Sequence, residues 1–269
     1  MSIQIVSDLH LEVPMGYDIF TIPPRAPYLA LLGDIGNVAK HKTDFLGFLR
    51  LQLRQFRAVL FVPGNHEAYG STWQETQLIL CDFESEVRAD PSLGEFVLLD
   101  HATFRIPDIS RKIVFLGCSL FSFVPPESER DVEIRLNDFS NIGGWSVEAH
   151  NAAHKRSLDW LNARVAELEQ EEDVKMVILT HWSPSLDPRA TEARHRGGPI
   201  SSAFSTDLSG ERCFRSGKVN VWAFGHTHYN VDFSVERDGG AGPLRLITNQ
   251  RGYYFAQAKG FEVEKTIEL

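Results

Sequence analysis

Eight side chains able to bind a divalent metal stand at the ends of five apolar runs in this chain of 269 residues. The run Ile3–Ser7 stops at Asp8 and His10, Tyr28–Leu32 at Gly33-Asp34, and Ala58–Val62 at Gly64-Asn65-His66-Glu67. Val174–Thr180 stops at His181, and Val219–Phe224 at Gly225-His226-Thr227-His228. Carboxylate, imidazole and amide oxygen without any thiolate form a donor set suited to Mn, Fe, Zn or Co. An extended backbone would aim Asp8 and His10, one residue apart, at one ion. Glycine at position 33 permits a sharp turn, and the two oxygens of Asp34 can bridge two cations. Asn65 offers a weak neutral oxygen beside His66, an imidazole free for proton transfer if it stays off the metal. His226 and His228 either share one ion or divide between two.

These residues need a scaffold that brings five strand ends together. Continuous Val/Ile/Leu/Phe runs read as strands buried on both faces, and ligands of α/β sheets gather outside the carboxyl ends of such strands. Helices fill the gaps: Thr43–Arg57 repeats Leu46, Leu49, Leu53 and Phe56 at helical spacing. Ser71 with Gln74 reads as a capping box before a helix that aligns Leu80, Glu84 and Val87. A longer helix is expected over Ser146–Glu171, ending in a solvated acidic stretch. Further strands are expected at Phe96–Leu99, Ile113–Phe121, Val231–Glu236 and Leu244–Thr248. Asp238-Gly239-Gly240 would turn the last two into a hairpin, and Phe261–Leu269 would add an edge strand. With no internal repeat or linker, residues 1–269 read as one α/β domain. Two long segments, 123–144 and 182–217, have little periodicity and are expected to be lid or substrate loops.

Composition narrows the partners. A hydrophobic fraction of 43% is ordinary for a soluble domain, and no apolar run approaches the ~20 residues of a membrane span. No cleaved leader is visible, and one would remove the ligand at position 8. Three widely spaced cysteines, Cys81, Cys118 and Cys213, suit reduced thiols and a cytoplasmic or nuclear setting. The net charge of -9 argues against a long nucleic acid and for a small phosphorylated substrate.

A lone Asp-x-His or Gly-Asp is common by chance, but five such blocks in this order are not. Asp-x-His, Gly-Asp, Gly-Asn-His-Glu, His and Gly-His-x-His together resemble the signature of the calcineurin-like metallophosphoesterase superfamily, from Ile3 to about Tyr253. The resemblance implies two β-sheets in a sandwich flanked by helices, with two divalent ions, Mn, Fe, Zn or a mixed pair, at the strand ends. It implies that Asp8, His10 and His228 hold one ion, that Asn65, His181 and His226 hold the other, and that Asp34 bridges them. His66 would protonate the leaving oxygen, oriented by Glu67, while the ions activate a bridging hydroxide for in-line attack.

The protein-phosphatase branch carries Gly-Asp-x-x-Asp-Arg-Gly at the second block. Here that block reads Gly33-Asp34-Ile35-Gly36-Asn37-Val38-Ala39, without the phosphate-gripping Arg. The first and last blocks look more like the bacterial-type phosphodiesterases, so a small phosphodiester, a 2′,3′- or 3′,5′-cyclic nucleotide above all, is the expected substrate. A phosphomonoester is the alternative, and a metal-binding scaffold without catalysis is disfavoured by the complete ligand set. Arg189, Arg194, His195 and Arg196 read either as a clamp for a second phosphate or as a solvated loop. Arg251, in an Asn-x-Arg-Gly-Tyr segment similar to that of some microbial and fungal members, is expected to support the site or to pair with an acidic helix end. Phe123 and Trp145 could stack a base, although a Trp at a helix start is more often core. His41, His101, His150 and His154 match no block and receive no role.

Overall fold

The alternation of buried runs and amphipathic segments resolves into two sheets, one behind each half of the ligand set. The computed structural model describes residues 1–106, 113–237 and 240–269. The first sheet is built from β1 (Ser2–Val6), β2 (Tyr28–Leu32), β3 (Ala58–Val62) and β4 (Glu95–Leu98), all parallel. The helices α1 (Lys42–Leu53) and α2 (Trp73–Arg88) cross between them. The second sheet takes β5 (Ala102–Arg105), β6 (Ile113–Cys118), β7 (Lys175–Thr180), β8 (Val219–Phe224), β9 (Asp232–Val235) and β10 (Leu244–Thr248). Its order is β5-β6-β7-β8-β10-β9, with the central strands parallel and both edges antiparallel. Within the two long segments lie α3 (Glu129–Arg135), α4 (Asp138–Asn141) and, after the long α5 (Val147–Leu168), α6 (Arg212–Arg215). A two-stranded ribbon, β11 (Gly252–Tyr253) with β12 (Ala256–Gln257), precedes β13 (Thr266–Glu268), which pairs antiparallel with β1.

Three apolar layers hold the sheets and helices together. Ile3, Ile5, Leu60 and Val62 face Phe115, Leu179, Ala223 and Ile247 between the sheets. Phe45, Leu49, Leu80 and Phe83 of α1 and α2 cover the outside of the first sheet. Leu161, Val165, Leu168 and Phe214 of α5 and α6 cover the second. The result is the expected α/β sandwich of two sheets flanked by helices. No helix among the described residues is long and apolar enough to cross a membrane.

Several boundaries differ from the periodicity. α2 is capped one residue later than Ser71: the Thr72 hydroxyl accepts from the Glu75 N–H at 3.1 Å, while Ser71 is held in a backbone bridge to Ile142. β6 stops at Cys118, because Leu120 and Phe121 turn into the left-handed region with φ of 75° and 56°. Of Phe261–Leu269 the strand comprises Thr266–Glu268 alone, and α1 ends at Leu53. β9 and β10 pair as expected, but Asp238 and Gly239 of the turn lie outside the described residues. The segments 123–144 and 182–217 are not free loops: Val124, Val132 and Leu136 of the first share an apolar cluster with Ala203 of the second.

Candidate metal centre

All five ligand-bearing strands end on one side, β1, β2 and β3 in one sheet and β7 and β8 in the other. Backbone pairing continues past the strands and draws their ends together. Asp8 N–H donates to the Gly33 carbonyl at 3.0 Å and His10 N–H to that of Asp34 at 2.9 Å. The extended geometry expected for Asp8-Leu9-His10 is not what aims these side chains. Asp8, His10, Asp34, His226 and His228 all have positive φ, between 47° and 67°. Non-glycine residues pay for that region, and such strain collects at functional sites.

The side chains converge in overlapping groups. Ligand atoms of Asp8, His10 and His228 lie within 4.8 Å of one another, as do those of Asp34, His181 and His226. Asp34 faces both groups: Oδ1 is 3.4 Å from His181 Nε2, and Oδ2 is 3.9 Å from His10 Nε2 and 4.0 Å from His66 Nε2. Asn65 Oδ1 joins the second group, 3.2 Å from His181 Nε2.

The donor chemistry fits cations. His181 Nδ1 is engaged by the Leu32 carbonyl at 2.7 Å, which turns Nε2 toward Asn65 Oδ1, Asp34 Oδ1 and, at 3.2 Å, His226 Nδ1. His10 and His228 bring their Nε2 atoms within 3.0 Å. His226 Nε2 is buried and has no hydrogen-bond partner among the described residues. Lone pairs aimed at common points, with too few protons between them, are what a cation would satisfy. The cradle is tight: a Cβ on Gly33 would lie 2.7 Å from Gly64 N, and one on Gly64 would lie 2.8 Å from His181 Nε2.

Charge is distributed unevenly: burial disfavours a charge on His181, yet Asp34 and Asp8 raise it to about 9. Burial alone would raise the Asp34 carboxyl, but His181 and His66 hold it well below the usual range. Burial likewise opposes ionisation of Asp8, which His228 overcomes. Burial pushes His10 down, and burial with the neighbouring His181 pushes His226 well down, which favours the neutral ring that a metal ligand needs. Burial disfavours a charge on His66 as well, yet Asp34 and Glu12 raise it to about 9.

Three residues around the centre were not read from the sequence. Glu12 Oε1 lies 2.7 Å from His66 Nδ1 and 3.4 Å from His10 Nδ1. The pull of these rings outweighs burial and lowers the carboxyl to about 2. The carboxylate in contact with the His66 ring is thus Glu12, where the sequence reading had placed Glu67. The buried Glu67 instead accepts backbone N–H groups of Asp34, Ile35 and Gly64 at 2.9, 2.8 and 2.6 Å, splicing the second and third blocks together. Asp138, buried on α4, accepts from Asn65 Nδ2 at 2.8 Å and from the Tyr69 hydroxyl at 2.5 Å. Tyr253 packs its ring on His10 at 4.3 Å. The i+2 step from His10 to Glu12 was a signal available in the sequence. Asp138, 73 residues from Asn65, had none.

Arg189, Arg194, Arg196 and His195 contact partners within their own segment. Arg189 pairs with Asp187 at 2.7 Å and Arg194 with Glu192 at 2.8 Å. Arg196 donates to the Thr191 and Pro188 carbonyls, and His195 is exposed 3.9 Å from Glu192. Arg251 donates to the Leu9 carbonyl at 3.0 Å, which supports the first block from behind, and among the described residues it pairs with no helix end. Trp145 stacks on Trp73 at 5.8 Å as core, and Phe123 lies beside His154.

Comparison with known proteins agrees with this geometry. A family model described as calcineurin-like phosphoesterase matches residues 1–230. "Uncharacterized protein L509" of Acanthamoeba polyphaga mimivirus is 24% identical over 277 residues, spanning 93% of this chain and 91% of that protein. Among solved structures, the phosphopantetheinyl hydrolase PptH from Mycobacterium tuberculosis superposes with a TM-score of 0.63 at 19% identity, covering 94% of this chain and 89% of that one. TT1561 of Thermus thermophilus does so with a TM-score of 0.52 at 12% identity, over 93% and 88% of the two chains. A match that runs from the first strand through the Gly-His-x-His block takes in every candidate ligand position, and the chain belongs to the calcineurin-like phosphoesterase family.

Proposed function

We propose that the protein is a metal-dependent phosphodiesterase acting on a small phosphodiester, with cyclic nucleotides as its substrate class. The observation that carries this reading is the division of Asp34, which turns one carboxylate oxygen to His181 and the other to His10 and His66. Asp8, His10 and His228 would hold one divalent ion, Asn65, His181 and His226 the other, and Asp34 would bridge. When bound, such a pair supplies positive charge for the phosphoryl oxygens and lowers the pKa of water.

The protein's own groups would do the rest. With Nδ1 donating to Glu12, His66 would hold its transferable proton on Nε2, beside Asp34. Tyr69 stacks on the ring at 4.1 Å and limits its tilt. In the reaction a water oxygen forms a bond to phosphorus and releases a proton to solvent, and the bond to the leaving alcohol breaks. The His66 proton ends on that alcohol.

A diester is favoured over a monoester by the charge of the wall. Among the described residues no Arg or Lys side chain forms a hydrogen bond or ion pair with the ligand side chains, and the second block lacks the Arg with which the protein-phosphatase branch grips a dianion. The test compares bis(p-nitrophenyl) phosphate with p-nitrophenyl phosphate, then a panel of 2′,3′- and 3′,5′-cyclic nucleotides, each with added Mn²⁺. A phosphopantetheinyl ester joins the panel because of the activity named for the mycobacterial neighbour. Preference for the monoester would overturn the reading.

A further inference from the structure

A short aromatic ribbon closes the side of the centre next to His66. β11 and β12 pair antiparallel about Tyr254 and Phe255, and the root of the ribbon is fixed. The Arg251 guanidinium lies 4.8 Å from the Phe20 ring centroid as it donates to Leu9, and the Ala258 N–H donates to the Arg251 carbonyl at 2.8 Å. At the inner end the Tyr253 ring rests on His10 and, at 4.8 Å, on His228. Its hydroxyl stands 3.4 Å from His66 Nε2. Phe255 continues outward, its ring plane 5° from that of Tyr253 with centroids 5.6 Å apart, and remains 78% exposed.

The position of His66 gives this ribbon a direction. A leaving oxygen that takes a proton from His66 must come within hydrogen-bond reach of Nε2, beside the position of the Tyr253 hydroxyl. Tyr253 and the exposed Phe255 offer a surface along which the group that this oxygen carries can lie. We propose that the Tyr253–Phe255 step is the leaving-group subsite, and that it seats a nucleoside whose base stacks on the open face of Phe255. This rests on the assignment of His66 as proton donor in diester cleavage. A parallel pair of rings held from behind presents a flat π surface, which favours a planar heterocycle of any base identity. An aliphatic arm would bury apolar area there but gain nothing from the alignment of the planes.

Adenosine 2′,3′-cyclic phosphate and the abasic ribose 2′,3′-cyclic phosphate share the reacting bonds and differ only in the base. With the Mn²⁺-loaded enzyme, the ratio of their kcat/KM values is expected to favour adenosine and to fall about 5- to 150-fold in Phe255→Ala. Phe255→Trp should keep the ratio, as should Tyr254→Ala, an exposed neighbour outside the stack. Calorimetric titration of adenosine into the loaded wild type and Phe255→Ala reads base binding without turnover. An unchanged ratio in Phe255→Ala, or no adenosine binding to the wild type, overturns the subsite. Adenosine binding that weakens in Phe255→Ala, in an enzyme that cleaves neither diester, would instead sink the diesterase reading and leave the subsite standing.

Discussion

Asp138 is expected to set the affinity of the Asn65 side of the centre, although it touches no cation itself. The Asn65 amide can present either end to His181, and only the oxygen can bind a metal. Its nitrogen donates to Asp138 Oδ1 at 2.8 Å and lies 3.2 Å from the Tyr69 hydroxyl, which leaves Oδ1 turned inward. Asp138→Leu removes that acceptor and frees the amide to turn. Loss of an outer partner of a metal ligand typically costs about 10- to 100-fold in affinity, or about 1.4 to 2.7 kcal/mol. The fold should suffer less. The variant strands the Tyr69 hydroxyl, worth about 1–3 kcal/mol, but also removes a buried carboxylate whose Oδ2 has no hydrogen-bond partner among the described residues and whose pKa burial raises. Asp138→Asn keeps an acceptor for both donors and should retain most of the affinity. Mn²⁺ titration by calorimetry, with metal content after dialysis, reads the effect at one of two ions. Wild-type affinity and stoichiometry in a folded Asp138→Leu would refute the argument.

Other substitutions separate proton transfer, cradle and core. His66→Ala should lose about 10²–10⁴ in kcat while keeping metal content; unchanged turnover would remove His66 from the reaction. Glu12→Gln keeps the shape but not the charge beside His66 Nδ1, so kcat should fall by less than in His66→Ala, with KM nearly constant, and full activity would show that Glu12 positions nothing. Gly64→Ala sets a Cβ 2.6 Å from Asp34 N; thermal unfolding should show a loss of about 1–3 kcal/mol together with weaker Mn²⁺ binding, and a wild-type Tm would contradict so tight a cradle. His150 is held neutral, pushed down to about 3 by burial and then by His154. Its unfolded value is about 6.5, so its contribution is complete above that pH and is lost as pH falls toward 3, by up to about 1.4 kcal/mol per unit. Urea unfolding from pH 7.5 to 5 should therefore show a shallower pH slope in His150→Leu than in the wild type, and equal slopes would exclude His150.

What the sequence discloses and what it withholds divide along the range of the interaction. Buried strands, long helices and the five ligand blocks rest on local patterns, since each block is a strand plus its next few residues. Their convergence also follows from local rules, because parallel strands put all their carboxyl ends on one side. The failures are of two kinds. One is conformational: Asp8 and His10 were expected on an extended backbone, yet both are left-handed, a state that alternation along a strand cannot encode. The other is one of partnership. Arg189, Arg194 and Arg196 looked available because sequence shows charge without its neighbours, and each is already engaged by a carboxylate or carbonyl within its own loop.

The same distinction explains why the chemistry is more legible than the substrate. Cation ligands must come from rigid elements at fixed spacing, since an error of an ångström costs affinity, and rigid elements leave periodic traces. Asp138 and Phe255 sit on short elements, α4 and the tip of the β11–β12 ribbon, whose register is set by tertiary contacts rather than by their own residues. Between them they bound the centre from two sides, Asp138 through Asn65 and Phe255 through Tyr253 and His66. A change at Asp138 should thus be read in metal content, and one at Phe255 in the choice of leaving group. Were the two readouts to move together, the segment 123–144 and the ribbon would be parts of one substrate wall, and the separation of metal support from substrate choice would be wrong.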